Sequence, residues 1–437
     1  CSPSSRISEF LSLNPGIQGH TQGDSSPCNT LNMGISSEST TTSLDLLDPS
    51  VHQREVPHAA YRTLRDTDPA SFQRSACAGS EDPGYWLLTR HADVHSALID
   101  TGSYSSFRGG TNLLNEPPER LEISRLMLIN MDPPGHTRYR RLITRSFASR
   151  MVERLEPQVR ALCKKVIDSI ATREECDFVR DVASQVPMQV IFMLLGIPEA
   201  DWEHLVTLTN TMMNQGNTEQ GFSAAMHMYM YANQLADKRR DQPGDDMVSQ
   251  LLCAEVNGEL LTQAEFGAFF MLLVVAGNET TRNLIAGGML SLLQNPGELT
   301  KLRQDPSLLH SAVEEMLRYI SPVTEFRRTA NRDIELHGKL IREGDRVILV
   351  HASANRDERV FADPERFDVA RSPNPHLAFG VGPHFCLGAT LARVEARCMF
   401  DEIISRLDDI ALTGDPIRMH SSLVNGFQTM PIRFRAI

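Results

Sequence analysis

The chain has no run of about 20 apolar residues, the length a helix needs to cross a bilayer. It has no apolar segment of the secretory-signal kind near residue 1. Its eight cysteines, Cys1, Cys28, Cys77, Cys163, Cys176, Cys253, Cys386 and Cys398, show neither the spacing of a disulfide framework nor that of an iron–sulfur cluster. Positive charge is in deficit. Against 55 Asp and Glu there are 43 Lys and Arg, and the net charge of −12 argues against a nucleic-acid partner. Beyond about residue 55 there is no linker, low-complexity run or internal repeat. A soluble cytoplasmic protein, monomeric and without a membrane span, is the expectation.

Sixteen of the first 45 residues are Ser or Thr, with scattered Gly and Pro. Residues 1–50 therefore read as a disordered tail and 51–437 as one domain. Helical patterns cover 58–66, 154–171, 187–195, 200–214 and 224–240. Strand patterns cover 85–89 and 427–434. Residues 336–350, with turn residues Gly338 and Gly344, read as a hairpin.

The most informative stretch is Phe379-Gly380-Val381-Gly382-Pro383-His384-Phe385-Cys386-Leu387-Gly388. Its glycines allow a tight backbone reversal. A helical pattern, 389–407, follows at once, which puts a thiolate at a helix N-terminus where the dipole favours negative charge. Gly388 leaves room for something flat, and Phe379 offers it an apolar face. A thiolate under a flat macrocycle is how haem iron is held when O–O cleavage is required. Other readings are weaker. A lone Cys is most often a small buried hydrophobe. Zinc needs more ligands at close spacing. A dinucleotide fingerprint fails because its third glycine position is Phe385.

The stretch resembles the haem-ligand loop of the cytochrome P-450 family, F-x-x-G-x-x-x-C-x-G, at Phe379, Gly382, Cys386 and Gly388. The resemblance implies a mainly α fold with small β-sheets, and haem b between a long central helix and the cysteine loop. Cys386 becomes the axial iron ligand.

Other segments agree. Thr262-Gln263-Ala264-Glu265 is a capping box that starts a helix of roughly thirty residues, stopped by Asn295-Pro296. Its centre, Ala276-Gly277-Asn278-Glu279-Thr280-Thr281, is polar. Alone, that centre reads as a kink, since Gly weakens a helix and Thr can bond back to the i−4 carbonyl. Beside a haem-thiolate loop it resembles the family's acid–alcohol segment. Ala276 then lies over the haem, Thr280 organises a proton-bearing water on its oxygen face, and Glu279 links that water to solvent. O–O heterolysis needs such proton delivery.

Glu315 and Arg318 match the family's E-x-x-R motif, with Arg366 expected as the third member of a buried structural network. In Asp132-Pro133-Pro134-Gly135-His136 a helix begins. The resemblance implies that His136, Arg140, Arg328 and His384 reach the haem propionates, charge-assisted bonds suited to Arg. Arg138, Arg141 and Arg145 lie on the opposite helix face and are expected to help dock an acidic partner.

Since the chain carries no flavin or iron–sulfur module, ferredoxin and ferredoxin reductase are the expected electron donors, with O2 and a small lipophilic substrate as the other partners. Val275, Val323, Phe326 and Val424 are expected in an apolar substrate pocket. Segments 276–283, 131–134 and 353–357 look most like the bacterial group that hydroxylates sterol side chains, methyl-branched lipids and terpenoid alcohols. Tailoring of a natural-product scaffold, or haem binding without oxygen activation, stand as alternatives.

Overall fold

A 32-residue helix, Gln263–Gln294, forms the axis of the protein. The computed structural model describes residues 45–75, 82–144, 149–215, 218–255 and 258–437. The axis begins at the expected capping box: Glu265 N–H donates to Thr262 Oγ1 at 3.2 Å, and Thr262 N–H donates to Glu265 Oε2 at 2.8 Å. Helices Pro187–Leu195, Glu219–Asp241, Leu309–Ile320 and Ala389–Arg406 pack around it. It runs unbroken through its polar centre. Gly277 serves close packing: a Cβ there would lie 2.5 Å from Ile191 Cδ1 on the neighbouring helix.

The other expected helices appear as His58–Thr67, Ser149–Ile170, Trp202–Gln215 and Glu219–Asp241. The fold is mainly helical. No described helix is long and apolar enough to cross a membrane.

A five-stranded sheet takes the order Ala70–Gln73, Tyr85–Leu88, Arg346–Val350, Glu325–Ala330, Tyr104–Ser105. Its register sets the site. Glu325 pairs with Val350 and Thr329 with Arg346. Strand alternation then sends Phe326 and Arg328 to one face and Glu325 and Arg327 to the other.

Three expectations need correction. The 336–350 hairpin is real only around His337-Gly338, where Ile334–Leu336 pairs with Lys339–Ile341. Arg346–Val350 turns away at Gly344 and becomes an interior strand of the large sheet, buried at all five positions. Burial on both faces, which a two-stranded hairpin cannot supply, decides this. Residues 427–434 form two strands, Phe427–Thr429 and Pro431–Ala436. They part at Met430, whose N–H donates to Asp177 Oδ1 and draws the second strand into another sheet. Last, residues 45–50 are structured. Asp48 caps helix Pro49–Arg54, and Leu46 and Leu47 are 2 % exposed. Residues 1–44 of the expected tail lie outside the described residues.

Candidate active site

The cysteine loop folds back through two left-handed glycines, Gly380 and Gly382. Cys386 N–H donates to Phe379 O at 2.9 Å, which closes the loop, and helix Ala389–Arg406 starts three residues later. Burial pushes the Cys386 thiol up, opposed by the Gly388 N–H and by Arg140 and Arg393. A Cβ at Gly388 would meet nothing within 4 Å, so the backbone beside the sulfur faces open space. Arg393 stands 4.5 Å over the Phe379 ring and holds Glu314 through Nε at 2.7 Å and Nη2 at 2.8 Å. Glu314, one position before the expected Glu315, thus ties helix Leu309–Ile320 to the loop.

Cys386 and Thr280 look into one cavity of about 240 Å³. The long helix lines it with Phe269, Leu272, Leu273, Ala276, Gly277, Thr280, Thr281 and Leu284, a stripe of 3.6-residue periodicity. Val275 falls off that stripe by about a third of a turn and does not line the cavity. Val323 and Phe326 do line it. Val424 does not; its backbone forms an isolated bridge to Val323. Leu98, Leu128, Ile129, Ile191 and His351 also line the cavity, though the sequence alone does not single them out. They come from four separate segments. His351 had one local signal, a polar residue directly after the apolar run 347–350.

Four basic side chains gather at one rim. The His136 and His384 rings approach to 4.3 Å, tilted at 42°, and both His136 ring nitrogens are buried without a partner among the described residues. Burial, then Arg140, lowers the His136 pKa to about 4. Burial lowers His384 to about 2, helped by Arg328, His136 and Arg140. Arg140 donates to Phe385 O at 2.6 Å. Arg328 is 3 % exposed, donates to Arg327 O at 2.8 Å, and has no carboxylate within ion-pair distance among the described residues. Arg327 lies on the far face of the strand. A buried guanidinium without a carboxylate, beside a His136 ring without a partner among the described residues, suits an anion at this opening.

Above the cavity, Thr280 Oγ1 donates to Ala276 O at 2.8 Å, the back-bond that a mid-helix Thr makes. Glu279 is 5 % exposed. Burial raises its carboxyl pKa, opposed by Arg282 and Asn283. Arg282 Nη2 bonds Glu279 Oε1 and also reaches Met419 Sδ at 3.2 Å.

The structural network differs from expectation in one member. Arg318 donates to Glu315 through Nε at 2.7 Å and Nη2 at 2.8 Å, with both side chains fully buried. The third member is Arg371, whose Nε reaches Glu315 Oε1 at 3.1 Å and Oε2 at 3.0 Å. The Arg366 side chain is 64 % exposed and pairs with Asp368. Its carbonyl faces inward and accepts from Arg318 and Arg371, which sends its side chain outward. The network reaches the cysteine loop through Asn355. Its carbonyl accepts from Arg318, and its Oδ1 accepts from Leu377 N–H at 2.6 Å.

Residues 199–431 match the Cytochrome P450 family model. The chain belongs to the cytochrome P450 family. A steroid C26-monooxygenase of Rhodococcus jostii is 36% identical over 400 residues, 90% of this chain and 84% of that protein. A methyl-branched lipid omega-hydroxylase of Mycobacterium bovis is 39% identical over 86% of this chain and 91% of that one. Among solved structures, a Mycobacterium marinum cytochrome P450 in complex with pseudoionone has a TM-score of 0.80 at 37% identity, over 86% of this chain and 94% of that chain. The protein is thus a P450 monooxygenase, and membership implies a haem-thiolate cofactor. The P450 site fits one: a sulfur facing the cavity, an open backbone at Gly388, and a basic rim without a carboxylate partner for Arg328 among the described residues, matched to carboxylates.

Of the expected docking face, Arg138 is already committed, donating to Glu265 at 2.9 Å and Glu259 at 2.5 Å. Arg141 is exposed, and Arg145 lies outside the described residues.

Proposed function

We propose that this P450 hydroxylates an unactivated C–H of a terpenoid, steroid side chain or branched lipid, inserting one atom of O2. The chamber carries this reading. Away from the basic rim, and apart from the hydroxyls of Thr280 and Thr281, its walls near the long helix are aliphatic or aromatic. Such a chamber rewards burial of hydrocarbon and gives a polar substrate few partners. The named activities of the relatives, on steroids and methyl-branched lipids, support the same class.

Residues 51–437 act as one domain holding haem b. Bound there, haem supplies the activation of O2 and the oxidation of the C–H bond. Cys386 Sγ would ligate its iron. His136, Arg140, Arg328 and His384 would hold its carboxylates. Thr280 Oγ1 would position a water in the cavity and pass it a proton. Glu279, its pKa raised by burial, takes up and releases protons between that hydroxyl and solvent beside Arg282.

The test is an optical titration of the purified haem protein with sterols, branched fatty acids and terpenoids. A saturable low- to high-spin shift with one of these classes is expected; no shift with any of them overturns the substrate class. Thr280→Ala is expected to keep that binding but divert most reducing equivalents to peroxide, a roughly tenfold or larger loss of product per NADH. Undiminished coupling would remove Thr280 from the relay.

Electrons reach the site from NAD(P)H through ferredoxin reductase and ferredoxin. Arg141, exposed on the helix that carries His136 and Arg140, contributes to the docking of an acidic donor. Arg141→Glu is expected to slow stopped-flow reduction several-fold at low salt, and less at high salt, with substrate affinity unchanged. Equal reduction rates in both proteins would exclude it from the docking surface.

A further inference from the structure

His351 is a buried base with no assigned task. It follows the fully buried strand Arg346–Val350 and opens the short helix His351–Ala354. Its ring is 3 % exposed and faces the same cavity as Cys386 and Thr280. Its Nδ1 is buried without a hydrogen-bond partner among the described residues, although the Leu349 carbonyl acts on the ring and partly offsets burial. One side of the ring meets Phe326 edge to face at 5.7 Å. Arg328 lines the same cavity, and its charge, after burial, is the next cause holding His351 neutral, with a pKa of about 3.

Both neighbours therefore lack the same thing. Arg328 is a buried cation with no carboxylate in reach among the described residues, and His351 is a buried imidazole with an idle nitrogen. Buried polar groups are stable only when hydrogen-bonded, and buried charges when paired. A sterol or terpenoid substrate supplies no anion, and haem does. The haem carboxylate that answers Arg328 answers both, because it neutralises the guanidinium and accepts a second hydrogen bond.

We propose that His351 is a further haem-carboxylate ligand, donating Nδ1–H to the same propionate that Arg328 holds. This rests on the haem reading above. It assigns the Nδ1–H tautomer and accounts for a polar residue at the end of an otherwise apolar strand. His351 acts here on cofactor retention and takes no part in the transfer of protons to oxygen.

The experiment compares wild type, His351→Gln and His351→Phe as haem-loaded proteins. It follows transfer of haem to excess apomyoglobin, the reduced-CO spectrum that reports thiolate ligation, and the affinity of the best spin-shifting lipid. His351→Phe keeps a planar ring and loses the donor. It is expected to release haem about tenfold faster, the usual weight of a lost charge-assisted hydrogen bond, while retaining the thiolate spectrum. His351→Gln keeps an N–H donor and is expected to hold haem within about twofold of wild type. Should His351→Phe fail to fold, His351→Leu takes its place. Unchanged haem release in the donor-less variant overturns the proposal. Equally fast release in both variants assigns His351 to packing and overturns it as well. Unchanged release with weakened lipid binding makes the residue a substrate contact, again against the proposal. A wild-type protein without a thiolate-ligated haem spectrum would instead overturn the haem reading itself.

Discussion

Serine at position 386 is expected to abolish monooxygenation while leaving the fold intact. The change removes one sulfur and keeps the shape of the side chain. The loop is closed by backbone groups, Cys386 N–H to Phe379 O, and by its left-handed glycines, neither of which depends on the thiol. The thiol's chemistry has no substitute. Burial opposes its ionisation, and the Gly388 N–H, Arg140 and Arg393 are arranged to favour the thiolate. A hydroxyl in the same place is far less acidic and a harder, weaker donor to iron. Product formation should fall by at least about 10³, roughly 4 kcal/mol of transition-state stabilisation. The red-shifted Soret band of the reduced CO complex should disappear, while the far-UV circular dichroism stays that of wild type. A variant that kept both band and turnover would refute Cys386 as the axial ligand.

Arg371→Leu and Arg366→Leu separate the observed network from the one read off the motif. Arg371 is 9 % exposed and shares the fully buried Glu315 carboxylate with Arg318. Removing it takes two hydrogen bonds from Glu315 and those donated to the carbonyls of Ala362, Asp363 and Arg366. Breaking a buried pair by deleting one partner costs about 3–5 kcal/mol. Because Asn355 links this network to Leu377 just before the cysteine loop, haem incorporation should fall along with the unfolding midpoint. Arg366→Leu loses only an exposed pair with Asp368 and should leave the unfolding midpoint essentially unchanged. Chemical denaturation of both variants decides the matter. Equal destabilisation, or the reverse order, would contradict the assignment of Arg371.

Much of the site was legible because its chemistry is local in sequence. The cysteine loop, the capping box at Thr262 and the Glu279-Thr280 pair each lie within a few residues, where turn geometry and helix periodicity act directly. The long helix carried its own signal: the cavity stripe from Phe269 to Leu284 follows 3.6-residue spacing, and the same spacing excludes Val275. Arg328 rather than Arg327 faces the cavity because of strand alternation, a parity that depends on the register between Glu325–Ala330 and Arg346–Val350.

What misled was long-range. Arg366 and Arg371 are both arginines just after a Pro-Glu turn, and only the path of the backbone decides which side chain turns inward. Residues 336–350 contain a real hairpin, and its apparent return strand is claimed by a larger sheet with two neighbours. Residues 45–50 have a tail's composition. They are ordered against a surface that includes Val56, Tyr61 and Tyr85, which composition does not report.

By itself the sequence determined the family, the reaction class and the helical character of the chain, and it singled out the Cys386 loop and the Glu279-Thr280 segment, because each rests on residue types at short, regular spacing. The tertiary structure alone decided which bases share the cavity rim, which arginine completes the Glu315 network, and that His351 Nδ1 faces the same cavity as Arg328 without a partner among the described residues. Those assignments depend on contacts between segments tens to hundreds of residues apart. Burial gives such contacts their energy, and burial is a property of the packed chain rather than of any stretch of it.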